Sequence, residues 1–371
     1  MILDLCGEPV VLAPLAGGPS TPELAAAVSE AGGLGFLAAG YLPAARLAAR
    51  LTETRRLTAR PIGVNVFVPG PPASPHVVDE YVDAISAEAA RVGTAPGEPR
   101  WDDDEYAEKL DLLFSAPPAV VSFTFGLPGS DVVERMHEAG AEVWITVTSV
   151  QEALDGVGVG ADVLVVQGAE AGGHRGGEDD DPRAATALLP LLQLVGDRLD
   201  HPLVAAGGIA TGRGVASVLA AGARAAAVGT AFLDCPEAGT TGVHREALHG
   251  DRATALTRAF TGRTARGIVN EFLERHDRAA PRAYPEVHHL TAPLRRAARA
   301  AGRADLVNLW AGQAYPLTRS LPAGELVRTL GREARGALRE ACARTETIPP
   351  PQLIRAGAQV SEELSGERRQ G

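Results

Sequence analysis

At 371 residues the chain exceeds one average domain and suits a large α/β barrel with an addition. A net charge of -11 disfavours nucleic-acid binding, which needs a positive field against phosphates. No apolar run is long enough, or free enough of glycine and charge, to span a bilayer. Hydrophobic residues at 45% and charged residues at 22% permit a substantial core. Cys6, Cys235 and Cys342 lie far apart in no metal-ligand spacing, and the start Met1-Ile2-Leu3-Asp4-Leu5-Cys6 has no signal-peptide pattern. The expectation is a cytoplasmic protein with reduced cysteines and no metal.

Short apolar runs alternate with helical patterns from the start. Val10 to Ala16 reads as a buried strand. Thr21-Pro22-Glu23 then opens a helix through Ala31, with threonine as cap and proline at the first position. Leu34–Ala38 is a second strand, Pro43–Leu57 a second helix and Ile62–Val68 a third strand. Between Pro69 and Pro99 a proline-rich excursion carries one helix-like segment, Val77–Val92; it reads equally as surface decoration or as a lid. The chain's one lysine, Lys109, sits in a charged helical pattern over Trp101–Phe114, so a Schiff base would have to use it. Further strands follow at Ala119–Phe125, Glu142–Val147, Asp162–Val166, Leu203–Ala206 and Ala225–Val228, with a helix over Ser130–Ala139.

Eight such strands predict a (β/α)₈ barrel, in which continuous Val/Ile/Leu/Ala runs are covered on both sides. An open doubly wound sheet would need Gly-x-Gly-x-x-Gly after the first strand, and Ala16-Gly17-Gly18-Pro19-Ser20 does not supply it. After Leu233 the rhythm stops. Helical pieces at Glu246–Leu256, Glu271–His276 and Pro293–Ala301, without strand alternation, predict a small helical domain over 235–317 above the barrel mouth. The barrel is then residues 1–234, completed by 318–345 with a helix over Glu325–Cys342. A tail covers 346–371, polar and fraying from about Gly357.

Barrel chemistry sits where strands run into helices. Gly207-Gly208 permits close backbone approach to a ligand. Thr211 can cap a helix over Gly212–Ala221 whose N-terminus faces an anion, and Gly229-Thr230 adds donors after the eighth strand. The two glycine pairs match a phosphate grip, and without a second-phosphate fingerprint a mononucleotide such as FMN fits better than a dinucleotide. Asn65 and Gln167 carry donor–acceptor pairs able to read the polar edge of an isoalloxazine. His174, in the loop Gly168–Gly177, is the candidate for acid–base work. Arg175 either attracts an anionic substrate or pairs with Glu170. Asp179-Asp180-Asp181 reads as a solvated loop. His288-His289 is a lesser candidate for facing the pocket, and His244 and His249 lack metal-ligand helix spacing.

The stretches Ala13–Leu24, Ala31–Leu37, Gly63–Phe67, Val121–Gly126, Gln167–Gly176 and Leu309–Gln313 resemble the nitronate monooxygenase (2-nitropropane dioxygenase) family, class I in particular, over most of the chain. The resemblance implies noncovalent FMN and oxidation of alkyl nitronates such as propionate 3-nitronate by O2 through a flavin semiquinone, giving a carbonyl compound and nitrite. It implies that Leu15, Ala16, Gly17, Asn65, Gln167, Gly172, Gly207, Gly208, Gly229 and Thr230 hold FMN and that His174 is catalytic. Phe125, Arg175, Tyr284, Trp310 and Tyr315 are expected around a small anionic substrate. Ala227 stands where many relatives have glutamine. An FMN-dependent NAD(P)H reductase on the same barrel, and a non-catalytic flavin-binding partner protein, are the competing readings; the oligomeric state is left open.

Overall fold

The structure is a computed structural model that describes residues 1–74 and 76–346; the tail expected beyond 346 lies outside them. Eight parallel strands form the barrel: β1 (Val10–Leu12), β2 (Gly35–Ala38), β3 (Ile62–Phe67), β4 (Val120–Thr124), β5 (Glu142–Val147), β6 (Val163–Gln167), β8 (Leu203–Ala206) and β9 (Ala225–Val228). Their order is β1-β9-β8-β6-β5-β4-β3-β2. The ring closes where the Leu12 N–H donates to the Leu34 carbonyl at 2.9 Å and the Leu34 N–H donates to Val10 at 3.0 Å.

The helices α1 (Pro22–Glu30), α2 (Ala44–Leu57), α3 (Asp79–Arg91), α4 (Tyr106–Ser115), α5 (Ser130–Glu138), α6 (Val150–Gly158), α7 (Leu188–Arg198) and α8 (Gly212–Ala220) follow in chain order. Thr21 caps α1 through Leu24 N at 3.0 Å, and Thr211 caps α8 through Gly214 N at 3.2 Å, as their sequences predict. Apolar faces of most of these helices pack on the outside of the strands, while Phe36, Trp144, Val163 and Val204 help fill the interior. No helix among the described residues is long and apolar enough to cross a membrane.

The region after β9 contains α9 (Gly242–Leu248), α10 (Glu271–His276) and α11 (Glu286–Ala300), before α12 (Ala323–Glu346) returns to pack on α8 and α1. It is mainly helical, yet it also holds strands β10 (Thr254–Thr257) and β11 (Ala265–Ile268), which pair antiparallel with β7 (Gly173–His174) of the histidine loop. The helix expected through Leu256 therefore ends at Leu248. A second apolar core joins this region to α3 through Tyr81, Ile85 and Ala89, so the proline-rich excursion is part of that packing.

Candidate active site

The strand ends open into a cavity of about 400 Å³, within the usual range of small-molecule sites. The expected FMN-binding positions all line it: Leu15, Ala16 and Gly17 after β1, Asn65 on β3, Gln167 ending β6, Gly172 in the loop, Gly207 and Gly208 after β8, and Gly229 and Thr230 after β9. Ala227 lines it too. Gly207 and Gly208 adopt φ of 127° and 65°, which brings bare backbone to the cavity wall. The N–H groups of Gly208, Gly229 and Thr230 find no acceptor among the described residues. Unpaired amides of this kind suit a phosphate, so the cradle fits a mononucleotide.

The helix terminus behind them does not contribute as expected. Glu333 accepts from Gly212 N at 3.1 Å and Thr211 accepts from Gly214 N, so these α8 donors are already taken. Gln167 is partly committed as well. Its Nε2 donates to the His174 carbonyl at 3.1 Å and its Oε1 accepts from Gly176 N at 2.8 Å, which braces the histidine loop. Asn65 donates to Ser122 Oγ at 3.0 Å and Thr124 Oγ1 at 2.7 Å, which fixes its amide plane at the cavity wall.

His174 stands among the rings of Phe125, Tyr284 and Trp310, with centroids at 5.7, 5.9 and 5.5 Å. Its Nε2 lies 2.9 Å from Thr261 Oγ1. That hydroxyl donates its one hydrogen to the Arg263 carbonyl at 3.2 Å, so Nε2 carries the imidazole proton and donates to Thr261. Nδ1 has no protein partner among the described residues and is the free lone pair. Burial, with Arg263 and then Arg295 adding to it, pushes the ring's pKa down to about 3. The imidazole is neutral at pH 7.

The remaining expected residues divide. Phe125, Trp310 and Tyr315 line the cavity, and Tyr284 closes over His174 with its hydroxyl donating to Tyr41 at 3.1 Å. Arg175 is not at the cavity. As β7 places His174 on one face, Arg175 falls on the other, where it is buried without an acceptor for Nε or Nη1. Nor does it pair with Glu170, whose carboxylate instead accepts from Leu188 N at 2.9 and 3.1 Å. Asp180 is no solvated loop residue. It is 1% exposed and accepts from Thr264 N at 2.7 Å and Arg258 Nε at 3.0 Å, tying the loop to β11. Lys109 is buried beside Asp104 at 2.7 Å, away from the cavity lining.

Sequence reasoning missed Tyr41, Thr261, Arg263 and Arg295. Tyr41 stacks on His288 at 4.1 Å, and Arg263 lies 4.1 Å over the Phe125 ring. His288 and His244 both line the cavity; His244 Nε2 donates to the Trp310 carbonyl at 3.0 Å, and burial lowers its pKa to about 4. No aspartate or glutamate lines the cavity, whereas Arg295, Arg296 and Arg299 do. Only the two histidines and the arginines of α11 hint at this in the sequence.

The nitronate monooxygenase family profile matches residues 1–333. The chain belongs to the nitronate monooxygenase family. Nitronate monooxygenase from Pseudomonas aeruginosa is 42% identical over 344 residues, covering 89% of this chain and 97% of that protein. The Paraburkholderia phytofirmans nitronate monooxygenase is 39% identical over 356 residues, covering 91% and 96%. A solved structure, nitroalkane oxidase from Streptomyces ansochromogenes, superposes with a TM-score of 0.89 at 48% identity, covering 92% of this chain and 99% of that one. FabK from Thermotoga maritima, at 24% identity and TM-score 0.73, shares the fold. As a nitronate monooxygenase family member the chain is a flavin-dependent oxidoreductase, and the family's members bind FMN.

Proposed function

We propose that the chain oxidises alkyl nitronates with O2, using noncovalent FMN, to a carbonyl compound and nitrite. The observation that carries this is a cavity lined by histidines and arginines and by no carboxylate, in a protein of net charge -11. Such a local field favours a small anion. FMN bound on the glycine cradle would accept electrons from the substrate and pass them to O2.

The chain's residues then bind, orient and exclude water. The rings of Phe125, Tyr284 and Trp310 around His174 enclose the reacting carbon, and Arg295 in the cavity wall offsets the nitronate charge. A nitronate is already a carbanion equivalent, so it needs no base. An anion beside His174 counters part of the desolvation that keeps the ring neutral and raises its pKa toward the ordinary value. For a neutral nitroalkane the same Nδ1 lone pair removes the carbon proton; the likeness to a protein named nitroalkane oxidase supports that second use.

The test is O2 uptake and nitrite release by FMN-loaded protein with propionate 3-nitronate and no nicotinamide. Uptake is expected. With flavin shown to be bound, no uptake but oxidation of NAD(P)H would move the reading to a reductase. His174→Asn is expected to lower kcat/KM on neutral nitroalkanes by about 10²–10⁴ and on preformed nitronates by much less.

A further inference from the structure

Lys109 is the chain's one lysine, and on α4 it is 0% exposed. Its Nζ stands 2.7 Å from Asp104 Oδ2 and has no other acceptor among the described residues. Burying that charge costs desolvation, and a buried ion pair returns little net stability. Neither residue lines the cavity. The other oxygen of the same carboxylate shows what the pair does: Asp104 Oδ1 accepts from the Tyr41 N–H at 3.0 Å.

Tyr41 lies in the turn between β2 and α2 and lines the cavity. Its φ of 64° is left-handed, a backbone that a tyrosine adopts only where its surroundings impose it. The segment before α4 imposes it with two carboxylates. Asp104 takes the Tyr41 N–H, and Glu105 Oε2 accepts from the Ala44 N–H at 2.7 Å. The turn held in this way lays the Tyr41 ring flat on His288, 4.1 Å away, and edge-on to Phe67 at 5.6 Å.

The Tyr41 hydroxyl accepts from Tyr284 at 3.1 Å and has one hydrogen of its own to give. No described residue accepts it. Burial pushes the Tyr41 pKa up to about 12, so that hydrogen is present at neutral pH. A hydroxyl that already accepts one hydrogen bond is a stronger donor of the next. We propose that Tyr41 donates this hydrogen to the anion bound beside His174, and that Lys109 and Asp104 are the positioning residues that hold it there. The nature of the anion rests on the nitronate reading above; the clamp on Tyr41 does not.

The test uses nitrite as the anion probe, titrated calorimetrically into the FMN-loaded protein. Tyr41→Phe keeps both ring contacts and removes only the hydroxyl. Nitrite is then expected to bind about 10- to 100-fold more weakly, the worth of a hydrogen bond to a charged group, with Tm and FMN content unchanged. Lys109→Met with Asp104→Ala removes both charges together, so no lone buried charge remains, and withdraws the acceptor from Tyr41. It is expected to weaken nitrite by a similar factor. Asp104→Asn with Lys109→Met keeps the acceptor and is expected to recover most of the affinity. In a Tyr41→Phe background the Lys109→Met and Asp104→Ala changes are expected to add less than about twofold, because they act only through the hydroxyl.

Nitrite affinity that Tyr41→Phe leaves intact overturns the proposal, as does the absence of nitrite binding in the unaltered protein. Losses that add independently in the combined variant overturn the clamp, since a pair that only supports the fold weakens both backgrounds alike. Across the series kcat/KM on propionate 3-nitronate is expected to fall in the same order as nitrite affinity. If that nitronate is not consumed while the nitrite series holds, Tyr41 and its clamp stand and the nitronate reading falls.

Discussion

At Thr261 a single hydroxyl hydrogen sets the tautomer of the histidine it faces, because its donation to the Arg263 carbonyl leaves only an acceptor for Nε2–H. Thr261→Val removes that acceptor and frees the ring to turn. The expected outcome is a loss of about tenfold or more in kcat/KM on neutral nitroalkanes with FMN retained, checked by steady-state kinetics beside flavin absorbance; Thr261→Ser restores it. The depressed pKa of His174, about 3, has its own signature. A free-enzyme group titrating there leaves no inflection in kcat/KM near 6.5, so the profile on nitronates is flat through that pH as far as His174 is concerned. A histidine step at 6.5, lost in His174→Asn, would contradict the buried neutral ring. The histidine itself was legible from its glycine-rich loop. Its partners were not, since Thr261 lies 87 residues away and only β7–β11 pairing brings them together.

Among the elements, the histidine loop is held from two sides. Gly172 packs so closely against the segment before Gln313 that a Cβ there would stand 2.4 Å from Gly312 N. Gly172→Ala must displace backbone, at a cost of about 1–3 kcal/mol, read as a lower Tm and weaker FMN retention. On the other side Asp180 anchors β11 and Arg258. Asp180→Ala leaves Arg258 without its buried partner, and on the order of 3 kcal/mol of stability is expected to be lost in denaturant unfolding. The barrel strands were readable because parallel strands covered on both faces are written as unbroken apolar runs. Strands β10 and β11 were not, since Thr254-Ala255-Leu256-Thr257 and Ala265-Arg266-Gly267-Ile268 carry no clean alternation and are set by pairing with the loop. Likewise Pro293, which reads as a helix start, lies inside α11. The carbonyl of His289 that it leaves without a helical donor is packed against Gly97, whose own N–H bonds the next carbonyl, Leu290, at 2.8 Å.

Over the whole molecule, three imidazoles packed around the cavity couple folding to pH. His174 and His244 are held near 3 and 4, and His288 is held well below its ordinary value, in each case first by burial. A depressed histidine binds its proton only in the unfolded chain between about 6.5 and the native pKa, so stability falls as pH falls through that window. Each contributes a loss of about 1.4 kcal/mol per pH unit there. Unfolding free energies measured between pH 7 and 5 are expected to decline steeply, and His244→Gln is expected to flatten the slope.

The sequence by itself determined the barrel, the order of its strands, the glycine cradle and the histidine loop, because each depends on local pattern: apolar runs, caps, and glycines where backbone must come close. Only the tertiary structure decided that Arg175 turns away from the cavity while Arg295 faces it, and that Thr261 holds His174. A strand's two faces cannot be told apart until its partners are known, and the charge inside a cavity depends on which distant side chains converge there.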